Sequence, residues 1–573
     1  MAKLIRVIPR ITLLGALIVS SSAGAQASRR DSIETRKRVL RAQTGFEQVR
    51  RMHLPSTTSG TRGGCEMRVG RFCQWNDTDH KAPREPRPIT RAREKLIASL
   101  DSAAARSPRD GWITGQRVRY LLEAGNDSSA LAAAAGCRST QWWCDAIRGL
   151  VLHETGSGAA ADSAFALALS AMPDGDRCKW TDISMLLDDA QRKRYRSLGC
   201  GKRNDVAERA WWLADPFHTI PGNDRQAEHY ARVTMSSILE DTRAGYDAGW
   251  GDDIRELVLR YGWARYWTRA PTTGISPNGG GGGGAISGHE ASPNFHFFPA
   301  VNGFDPTTPI GGDAWNFKQP GSPERYAPRL ASEFVQLSPQ IALFRRGDSA
   351  QVVVAYDVSD DTTFRLAPVR SAVALAHDER ARPIILETAT KRGSFVAVVD
   401  STAQLVSVEI VSAEKKKAAR ARQSVWLPPK TPDGLAVSDL LLFDPPSHDV
   451  SDLVQALPTA RGNLTAAARG KLGLYWEIYG LARADSAMPV SLTLTRITEG
   501  RLRRFAESIR IGRRGTPMTI AWRESPSLGG VATRSVVLDL SLIPRGKYVL
   551  KLDATPRGEG RRGVSTSRII DIR

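Results

Sequence analysis

The stretch that decides the fold is WCDAIRGLVLHETGSGAAADSAFALALSAMP, residues 143–173. It carries an indole, an arginine, a leucine, a glycine and an alanine at Trp143, Arg148, Leu152, Gly156 and Ala161. The same five residue types stand 31 positions earlier, at Trp112, Arg117, Leu121, Gly125 and Ala130. A repeat of this length predicts a helix-turn-helix unit that stacks on its neighbour, because one unit cannot bury its apolar face alone.

The second copy of this repeat resembles a tetratricopeptide repeat. The small, large and terminating positions of that motif are matched by Gly149, Leu152, Gly156, Ala161, Phe165, Ala168 and Pro173. The resemblance implies closely packed helix pairs, so we expect tetratricopeptide-like helical repeats over residues 91–203. A further helix from Thr181 to Leu198, ended by Gly199, is predicted by apolar residues on one face: Ile183, Leu186, Leu187, Ala190 and Leu198.

The N-terminus has the three regions of a secretory signal peptide. Lys3, Arg6 and Arg10 precede an apolar run over residues 11–19, and small residues follow up to Ala25. The run is far shorter than the roughly 20 residues of a membrane-spanning helix. We therefore expect residues 1–25 to be cleaved and the mature protein to be exported, periplasmic or extracellular, and soluble. No later stretch predicts a transmembrane segment.

Charge is strongly basic, with a formal net charge of +20. Residues 26–94 hold 16 Lys or Arg against 8 Asp or Glu, and we expect residues 26–90 to form a basic, partly ordered arm with a possible helix around Val39 and Phe46. Such a charge could attract nucleic acid or an anionic polymer. Arginine is scattered along the chain and no basic run alternates with stacking aromatics, so we expect no nucleic-acid partner.

The six cysteines are even in number, which in an exported protein predicts disulfides. Six cysteines allow 15 pairings. Short loops close at the lowest entropic cost, which favours Cys65–Cys73, Cys137–Cys144 and Cys178–Cys200. Metal ligation is the alternative, but the chain has no C-x-x-C pair.

Residues 204–329 predict a small α/β module. A helix from Ala207 to Leu213 should stop at Asp215-Pro216, and Asn223 with Gln226 suggests a capping box that opens a helix through Leu239. The segment from Glu256 to Tyr261 predicts a buried strand ended by Gly262. Six glycines at residues 279–284 predict a mobile loop.

Beyond Arg329 the sequence predicts strands, because successive residues alternate between the two faces of an extended chain. This pattern is typical of two immunoglobulin-like β-sandwiches, at residues 330–430 and 431–573. The predicted strands are 350–357, 371–376, 395–399, 405–411, 437–443, 473–479, 490–497, 535–540 and 547–554. Pro428 to Pro432 predicts the linker between the domains. The turn at Pro544-Arg545-Gly546 before Tyr548 suggests a tyrosine corner.

No catalytic motif with defined mechanics occurs: the chain has no G-x-S-x-G, H-E-x-x-H or phosphate-binding loop. His289, Glu290 and His296 could bind zinc or act as acid and base, but their spacing does not place both histidines on one helical face. We predict no catalytic residues, metal or cofactor. The tripeptide from Arg346 to Asp348 is interpreted as a tight turn rather than an adhesion motif.

A longer set of short segments forms a recognisable pattern: WWLADP (211–216), PGND (221–224), EHYAR (228–232), GWGDD (249–253), LRYG (259–262), LYWE (474–477) and LDL (538–540). Together these segments resemble the GWxTD-domain family of exported bacterial proteins. The sequence departs from the family pattern at Asp252, at Ile254-Arg255 and at residues 263–265. The resemblance implies export and the order of helical repeats, small α/β module and sandwiches, but no biochemical activity.

The motif residues have two interpretations. In the structural one, Trp250 fills a core and Asp253 caps backbone amides or pairs with Arg232 or Arg260. In the functional one, these residues line a groove for a polar ligand, since charge pairs beside exposed indoles often make such sites. The predicted ligand-binding residues are Arg232, Trp250, Asp252, Asp253 and Arg260.

Three functions remain open from the sequence. The first is a non-enzymatic scaffold that binds a protein partner in the cell envelope, since helical repeats and sheet edges are common interaction surfaces. The second is a hydrolase or ligand site at residues 249–296. The third is an anionic surface polymer bound by the basic arm. The oligomeric state is not predicted.

Overall fold

The structure is a computed structural model that describes residues 14–56, 67–74, 82–240, 242–243, 250–269, 286–289, 295–300, 304–305, 307–318, 322–432, 434–481, 487–497, 517–525, 530–556 and 562–573. The chain forms two compact units. The helical unit holds residues 1–216, 221–297 and 318–328, and the sheet unit holds residues 217–220, 298–317 and 329–573. The mixed α and β class, with helices first and sheets second, is confirmed.

The helical unit consists of eleven helices and two small hairpins within its described residues. The helices are α1 (Leu14–Met52), α2 (Arg87–Arg106), α3 (Gly111–Glu123), α4 (Asp127–Ala135), α5 (Gln141–Glu154), α6 (Gly158–Ala171), α7 (Asp174–Trp180), α8 (Asp189–Arg196), α9 (Cys200–Ala214), α10 (Asp224–Leu239) and α11 (Asp252–Tyr261). The hairpins pair β1 (Met67–Val69) with β2 (Phe72–Gln74) and β3 (Tyr266–Arg269) with β4 (Ile286–His289).

The 31-residue repeat folds as two consecutive helical hairpins, α3–α4 and α5–α6. Gly125 and Gly156 occupy the same place in each turn, with φ of 69° and 83°, a conformation that glycine adopts without strain. Gly149 lets α6 approach closely, since a Cβ there would lie 2.7 Å from the ring of Phe165. The hairpins are thus observed, and their assignment as tetratricopeptide repeats stays a prediction.

The helical part of the predicted basic arm is packed into the helical unit. Val39 and Phe46 of α1 are buried against Ile89 and Leu96 of α2. The rest of the arm contains the β1–β2 hairpin and the start of α2. Residues 1–13 of the predicted signal peptide, Cys65 of the predicted Cys65–Cys73 pair and the glycine run lie outside the described residues.

Two predicted elements of the helical unit are wrong. The run from Glu256 to Tyr261 is not a strand but the body of α11, whose buried residues Ile254, Leu257, Val258 and Tyr261 recur at helical spacing. Gly262 does end it, at φ 93°. The predicted helix over 181–198 is a 3-10 turn followed by α8, because Asp188 and Gln191 form a capping box that starts a new helix.

Cysteine pairing is confirmed where the structure describes it. Cys137 and Cys144 form a disulfide across the turn between α4 and α5, and Cys178 and Cys200 join α7 to α9. The Asn223 cap is also confirmed, since its side chain accepts a hydrogen bond from the Gln226 amide at 2.9 Å. Within the described ranges, no helix has the length and apolar character needed to cross a membrane.

The sheet unit begins with two sheets that share one core. Their orders are β10-β7-β6 and β5-β12-β11-β8-β9. Val354 and Phe395 of the first sheet pack with Val408 and Ala421 of the second. The strands are β5 (Glu333–Gln336), β6 (Gln340–Arg346), β7 (Ser349–Asp357), β8 (Arg370–Ala376), β9 (Ile384–Thr388), β10 (Arg392–Val399), β11 (Gln404–Ser412) and β12 (Lys417–Val425), with the short helix α12 (Thr362–Arg365) after β7.

A second pair of sheets follows, with strands β13 and β14 on one side of β16, β19 on its other side, and the order β15-β21-β20-β17-β18 in the other sheet. Trp476 and Leu550 pack together in its core. The predicted strand at 437–443 is split in two. The elements are β13 (Ala436–Val437), β14 (Leu441–Phe443), α13 (Leu453–Ala456), β15 (Thr465–Ala466), β16 (Lys471–Tyr479), β17 (Met488–Arg496), β18 (Met518–Glu524), β19 (Val531–Asp539), β20 (Gly546–Ala554) and β21 (Val564–Ile572).

Local turn predictions hold in the sheet unit. Arg346 and Ser349 face each other across the β6–β7 turn, with Gly347 at φ 65°, so the tripeptide is a hairpin turn. The Tyr548 hydroxyl donates to the carbonyl of Pro544 at 2.8 Å, as a tyrosine corner requires. The immunoglobulin-like assignment of the sheets stays a prediction.

Candidate functional site

Arg232, predicted as a ligand residue, is buried on α10 and bound to the protein itself. Its guanidinium donates to the carbonyls of Leu259 and Arg260 at 3.2 and 2.8 Å and to that of Arg325 at 2.9 Å. Its Nε pairs with Glu228 at 2.5 Å. The side chain therefore satisfies the last carbonyls of α11, which a helix cannot satisfy internally. This geometry supports the structural interpretation.

Asp253 lies at the other end of α11 and pairs with Arg71 of the β1–β2 turn. The two Asp253 oxygens accept from Arg71 at 2.5 and 2.8 Å. These hydrogen bonds bring the pKa of Asp253 to about 2. The structure thus gives Asp253 a partner other than the predicted Arg232 or Arg260.

The other three predicted residues also lie near one end of α11 or the other. Trp250 is half-buried and packs at the edge of the core formed by α5, α6 and α10, whereas Asp252 is exposed in the first turn of α11. Arg260 is in the last turn of α11 and pairs with Glu256 at 2.6 Å. The ten residues of α11 span about 15 Å. The five predicted residues are therefore placed at two ends of one helix and do not converge on one groove.

The two histidines of the proposed metal or acid–base set lie in different surroundings. His289 stacks on Tyr266 with ring centroids 4.4 Å apart. His296 is buried and contacts the carboxylate of Glu324 at 2.8 Å. Glu290 lies outside the described residues. In the portion of the chain that is described, no three His, Cys, Asp or Glu side chains are grouped as metal ligands.

Buried charges on α10 form two connected sets. Arg225 donates to Glu324 at 2.6 Å, with both side chains inaccessible, and His153 contacts Glu228 at 2.6 Å beside Arg232. Burial raises the pKa of Glu324, but the charges of Arg225 and His296 outweigh it and bring the pKa to about 2. These groups are closed to solvent, so they hold helices together rather than meet a ligand.

A cleft lined by tryptophans is the strongest candidate site in the helical unit. Its volume is about 310 Å³, at the lower end of the range of ligand clefts. Three half-buried indoles line it, together with hydroxyls, one carboxylate and one guanidinium. The lining residues are Arg36, Gly111, Trp112, Ser139, Thr140, Trp142, Trp143, Ser237, Ile238 and Glu240.

The walls of the tryptophan cleft are fixed by local chemistry. Trp143 Nε1 donates to the carbonyl of Gly111 at 2.9 Å, and a Cβ at Gly111 would lie 2.7 Å from the Trp143 ring. Trp142 packs edge-on against Trp143 and Trp180, each with ring centroids 5.7 Å away. The Cys137–Cys144 disulfide closes a ring that contains Ser139, Thr140, Trp142 and Trp143. The disulfide therefore holds one wall of the cleft in place.

A second cleft of about 330 Å³ lies between α6, α7, α9 and α10. Several of its polar side chains are bonded within the protein: the Thr181 hydroxyl contacts Asn204 at 2.7 Å, and Arg177 pairs with Asp174 outside the cleft. It lacks the cluster of indoles of the tryptophan cleft. The polar groups are therefore less available to a ligand.

None of the ligand-binding residues predicted from the sequence lines the tryptophan cleft. The sequence interpretation treats Trp112 and Trp143 as equivalent positions of the 31-residue repeat, where a side chain is expected to face the stacked neighbour. A signal was present nonetheless, because Trp142 and Trp143 are adjacent on one helix and cannot both point in the same direction. Trp142 and Trp143 also lie inside the small ring closed by Cys137–Cys144, which limits how deeply their side chains can be buried.

Comparisons with known proteins assign no family. Neither a scan against protein families nor a search of curated proteins finds a match. Among solved structures, the chain is similar in part to Bacteroides uniformis β-glucuronidase 2 bound to cyclophellitol-6-carboxylate aziridine (8% identity, TM-score 0.17, 39% of this chain and 26% of that chain). Two others are a putative β-galactosidase from Bacteroides fragilis (8%, 0.15, 42% and 34%) and red sea bream transglutaminase (9%, 0.14, 57% and 43%).

The chain spans between 26% and 43% of the length of these three structures. With TM-scores this low, the likenesses carry no argument about fold or function. The site must be interpreted from its own geometry.

Proposed function

We propose that this chain is a non-enzymatic interaction protein of the cell envelope and that its tryptophan cleft receives a segment of a protein partner. The observation that carries the proposal is the cleft itself, in which Trp112, Trp142 and Trp143 surround a volume of about 310 Å³ beside hydroxyl and carboxylate groups. Tryptophan is enriched among the residues that dominate binding energy at protein interfaces. Two of these indoles lie on a wall fixed by a disulfide, so little conformational entropy is lost when a partner binds.

Two features support this location. The N-terminal sequence has the pattern of a signal peptide, and the two disulfides among the described residues of the helical unit are typical of proteins outside the cytoplasm. The resemblances to GWxTD-domain proteins and to tetratricopeptide repeats are consistent with an exported scaffold. The alternative of a ligand groove at the motif residues gains no comparable observation, since Arg232 and Asp253 are engaged within the protein.

A photo-cross-linking experiment tests the proposal in the native cells. A photoreactive residue replaces Ser139 at the cleft, and in a control protein it replaces Leu167, which is 55% exposed on α6. We expect a discrete adduct from position 139 that position 167 does not give. The adduct should disappear with Thr140→Arg, which fills the mouth of the cleft from an exposed position, and persist with the matched Ser163→Arg on α6.

The same adducts from both positions, or an adduct at 139 that survives Thr140→Arg, would contradict the proposal. Circular dichroism and the melting temperature of each variant show whether the helical unit is intact. Both arginine substitutions are at exposed positions, so neither should lower the melting temperature measurably.

A further inference from the structure

We propose that the group bound in the tryptophan cleft is a cation, the ammonium or guanidinium of a Lys or Arg side chain on the partner polypeptide. This inference rests on the proposed function and specifies the chemistry of its partner. Three observations within the helical unit carry it: a guanidinium on one indole of the cleft, an exposed carboxylate and the carbonyl end of a helix.

The first observation is that one indole of the cleft already holds a cation. The guanidinium carbon of Arg36 lies 5.2 Å from the centroid of the Trp112 ring. Cations are attracted to the negative face of an aromatic ring, and indole is the strongest of the aromatic side chains in this respect. The cleft therefore has the chemistry that a second cation needs at Trp142 and Trp143.

The second observation is the carboxylate of Glu240. Its side chain is exposed at the rim of the cleft, and it forms no ion pair with any residue for which the structure gives a position. Even Arg36, which lines the same cleft, is farther from it than an ion pair allows. An acidic group beside aromatic faces is a favourable site for an ammonium or guanidinium.

The third observation is the direction of α10. Ser237, Ile238 and Glu240 line the cleft with the C-terminal turn of this helix, and that turn contains no Lys, Arg or His. The C-terminal end of a helix carries partial negative charge from its carbonyl groups and stabilises a nearby cation. The carbonyl end of α10 and the carboxylate of Glu240 are both negative, so together they favour a cation over an anion or a neutral sugar.

The basic character of the whole protein does not oppose this arrangement at physiological salt. The formal net charge is +20, but exposed charges farther than about 8 Å are largely screened at that ionic strength. Among the residues that line the cleft, Arg36 is the positively charged one. Its charge repels an incoming cation at Trp142 and Trp143 in the same cleft, so Arg36 acts as a competitor from within the chain.

Competition by Arg36 gives the inference a distinctive test. Removing a residue that merely supports the cleft would weaken binding, whereas removing a competing cation should strengthen it. N-acetyl-arginine amide and its neutral counterpart N-acetyl-citrulline amide are the probes, and binding to the full mature protein is followed through the tryptophan side-chain NH signals by NMR. We expect the arginine probe to bind and the citrulline probe to bind at least about fivefold more weakly.

Variants sharpen the expectation. Glu240→Gln, which keeps the shape of the side chain, should weaken the arginine probe by about threefold or more. Arg36→Ala should tighten it by about two- to threefold. Glu208→Gln, a carboxylate change at the second cleft, is the matched control and should leave the affinity unchanged. Equal binding of both probes, weaker binding in Arg36→Ala, or preferential binding of cellotriose over the arginine probe would overturn the inference.

The two proposals fail in different ways. If the cross-link at position 139 depends on the open cleft but the two probes bind equally, the interaction function stands and the cation inference falls. If the arginine probe is preferred and no cross-linked partner is found, the cleft is a cation site without a polypeptide partner, and the proposed function falls.

Discussion

The helical unit and the sheet unit are held together in different ways. In the helical unit, charges lie between helices, as where Arg225 meets Glu324 and Arg119 meets Glu47, and disulfides join α4 to α5 and α7 to α9. In the sheet unit, alternate residues of long strands build broad apolar cores, a buried ion pair of Arg422 with Glu409 links neighbouring strands, and the sequence beyond residue 329 contains no cysteine. The comparison indicates that redox state acts on the helical unit, whereas the sheet unit depends mainly on the packing of its strands.

The largest expected effect comes from a buried ion pair. Glu324→Ala should lower the free energy of unfolding of the helical unit by about 3–5 kcal/mol, because it leaves Arg225 and His296 without this counter-charge in a closed interior. The matched change in the sheet unit, Glu387→Ala, removes an exposed partner of Arg370 and should cost about 0–1 kcal/mol. Urea unfolding followed by hydrogen exchange in each unit measures both.

The Glu324 effect should also depend on pH. Its pKa is about 2 in the folded state and about 4.5 when the carboxyl is unperturbed. A lowered carboxyl pKa stabilises the fold above pH 4.5, and this contribution disappears as the pH falls toward 2. The difference between wild type and Glu324→Ala should therefore shrink over this interval. A constant difference from pH 7 to pH 2 would contradict the assigned charge pair.

Reduction of Cys178–Cys200 should have the next largest effect. The pair is 22 residues apart in sequence, and a loop of that size contributes about 3 kcal/mol by the chain-entropy argument. Reductant, or a Cys178→Ser/Cys200→Ser double variant, should make the helical unit sensitive to protease and leave the sheet unit unchanged. Peptide mapping without reductant gives the control. Equal loosening of both units would break the comparison.

In each unit, one glycine lies too close to an aromatic ring to leave room for a side chain, and replacing it tests the packing there. A Cβ at Gly473 would lie 2.4 Å from the Phe443 ring, and one at Gly149 would lie 2.7 Å from Phe165. Gly473→Ala should destabilise the sheet unit by about 1–3 kcal/mol. Gly149→Ala should cost less, because alanine gains about 1 kcal/mol of helix propensity. Gly201→Ala, which meets nothing within 4 Å in α9, is the control and should not destabilise.

The smallest predicted effect concerns His229. Burial, together with Arg225 and Arg232, lowers its pKa well below 6.5, and neither ring nitrogen has a hydrogen-bond partner among the described residues. Below pH 6.5 the unfolded chain takes up a proton that the folded chain resists, so His229 destabilises the helical unit as the pH falls. His229→Phe should therefore gain about 1–2 kcal/mol relative to wild type at pH 5 compared with pH 8.

The control for His229 is His377→Phe in the sheet unit. His377 is exposed beside Asp378, so this variant controls for replacing a histidine with a phenylalanine outside a buried core. Thermal melts at pH 5 and pH 8 supply both comparisons. A pH dependence that is the same in His229→Phe and wild type would show that this ring does not titrate in the unfolding reaction.

Sequence reasoning succeeded where the signal was local. The Asn223 cap, the Arg346–Asp348 turn and the Tyr548 contact each depend on a few neighbouring residues, and each was found. The prediction for α11 failed because the six residues from Glu256 to Tyr261, four of them apolar, fit a strand and a helix equally, and the deciding residue, Ile254, lies outside them. Tertiary packing settled the choice.

The candidate site was harder to predict, because its residues come from distant parts of the chain. Arg36, Trp112, Trp142 and Glu240 meet only when α1, α3, α5 and α10 pack together. The sequence points instead to the residues of the GWxTD-like motif, because charged side chains beside a tryptophan are typical of a site for a polar ligand. In the structure, Arg232 and Asp253 secure the two ends of α11, a use of charge that no sequence pattern distinguishes from ligand binding.

Strand β7 has a mechanical consequence for the sheet unit. Val352 and Val354 face the core of the first pair of sheets, while Val353 on the opposite face packs with Phe443 and the second pair. A force that peels this strand away would open both cores at once. Stretched from its ends, the sheet unit should therefore yield in one cooperative rupture, rather than in two successive steps as separate sandwiches would.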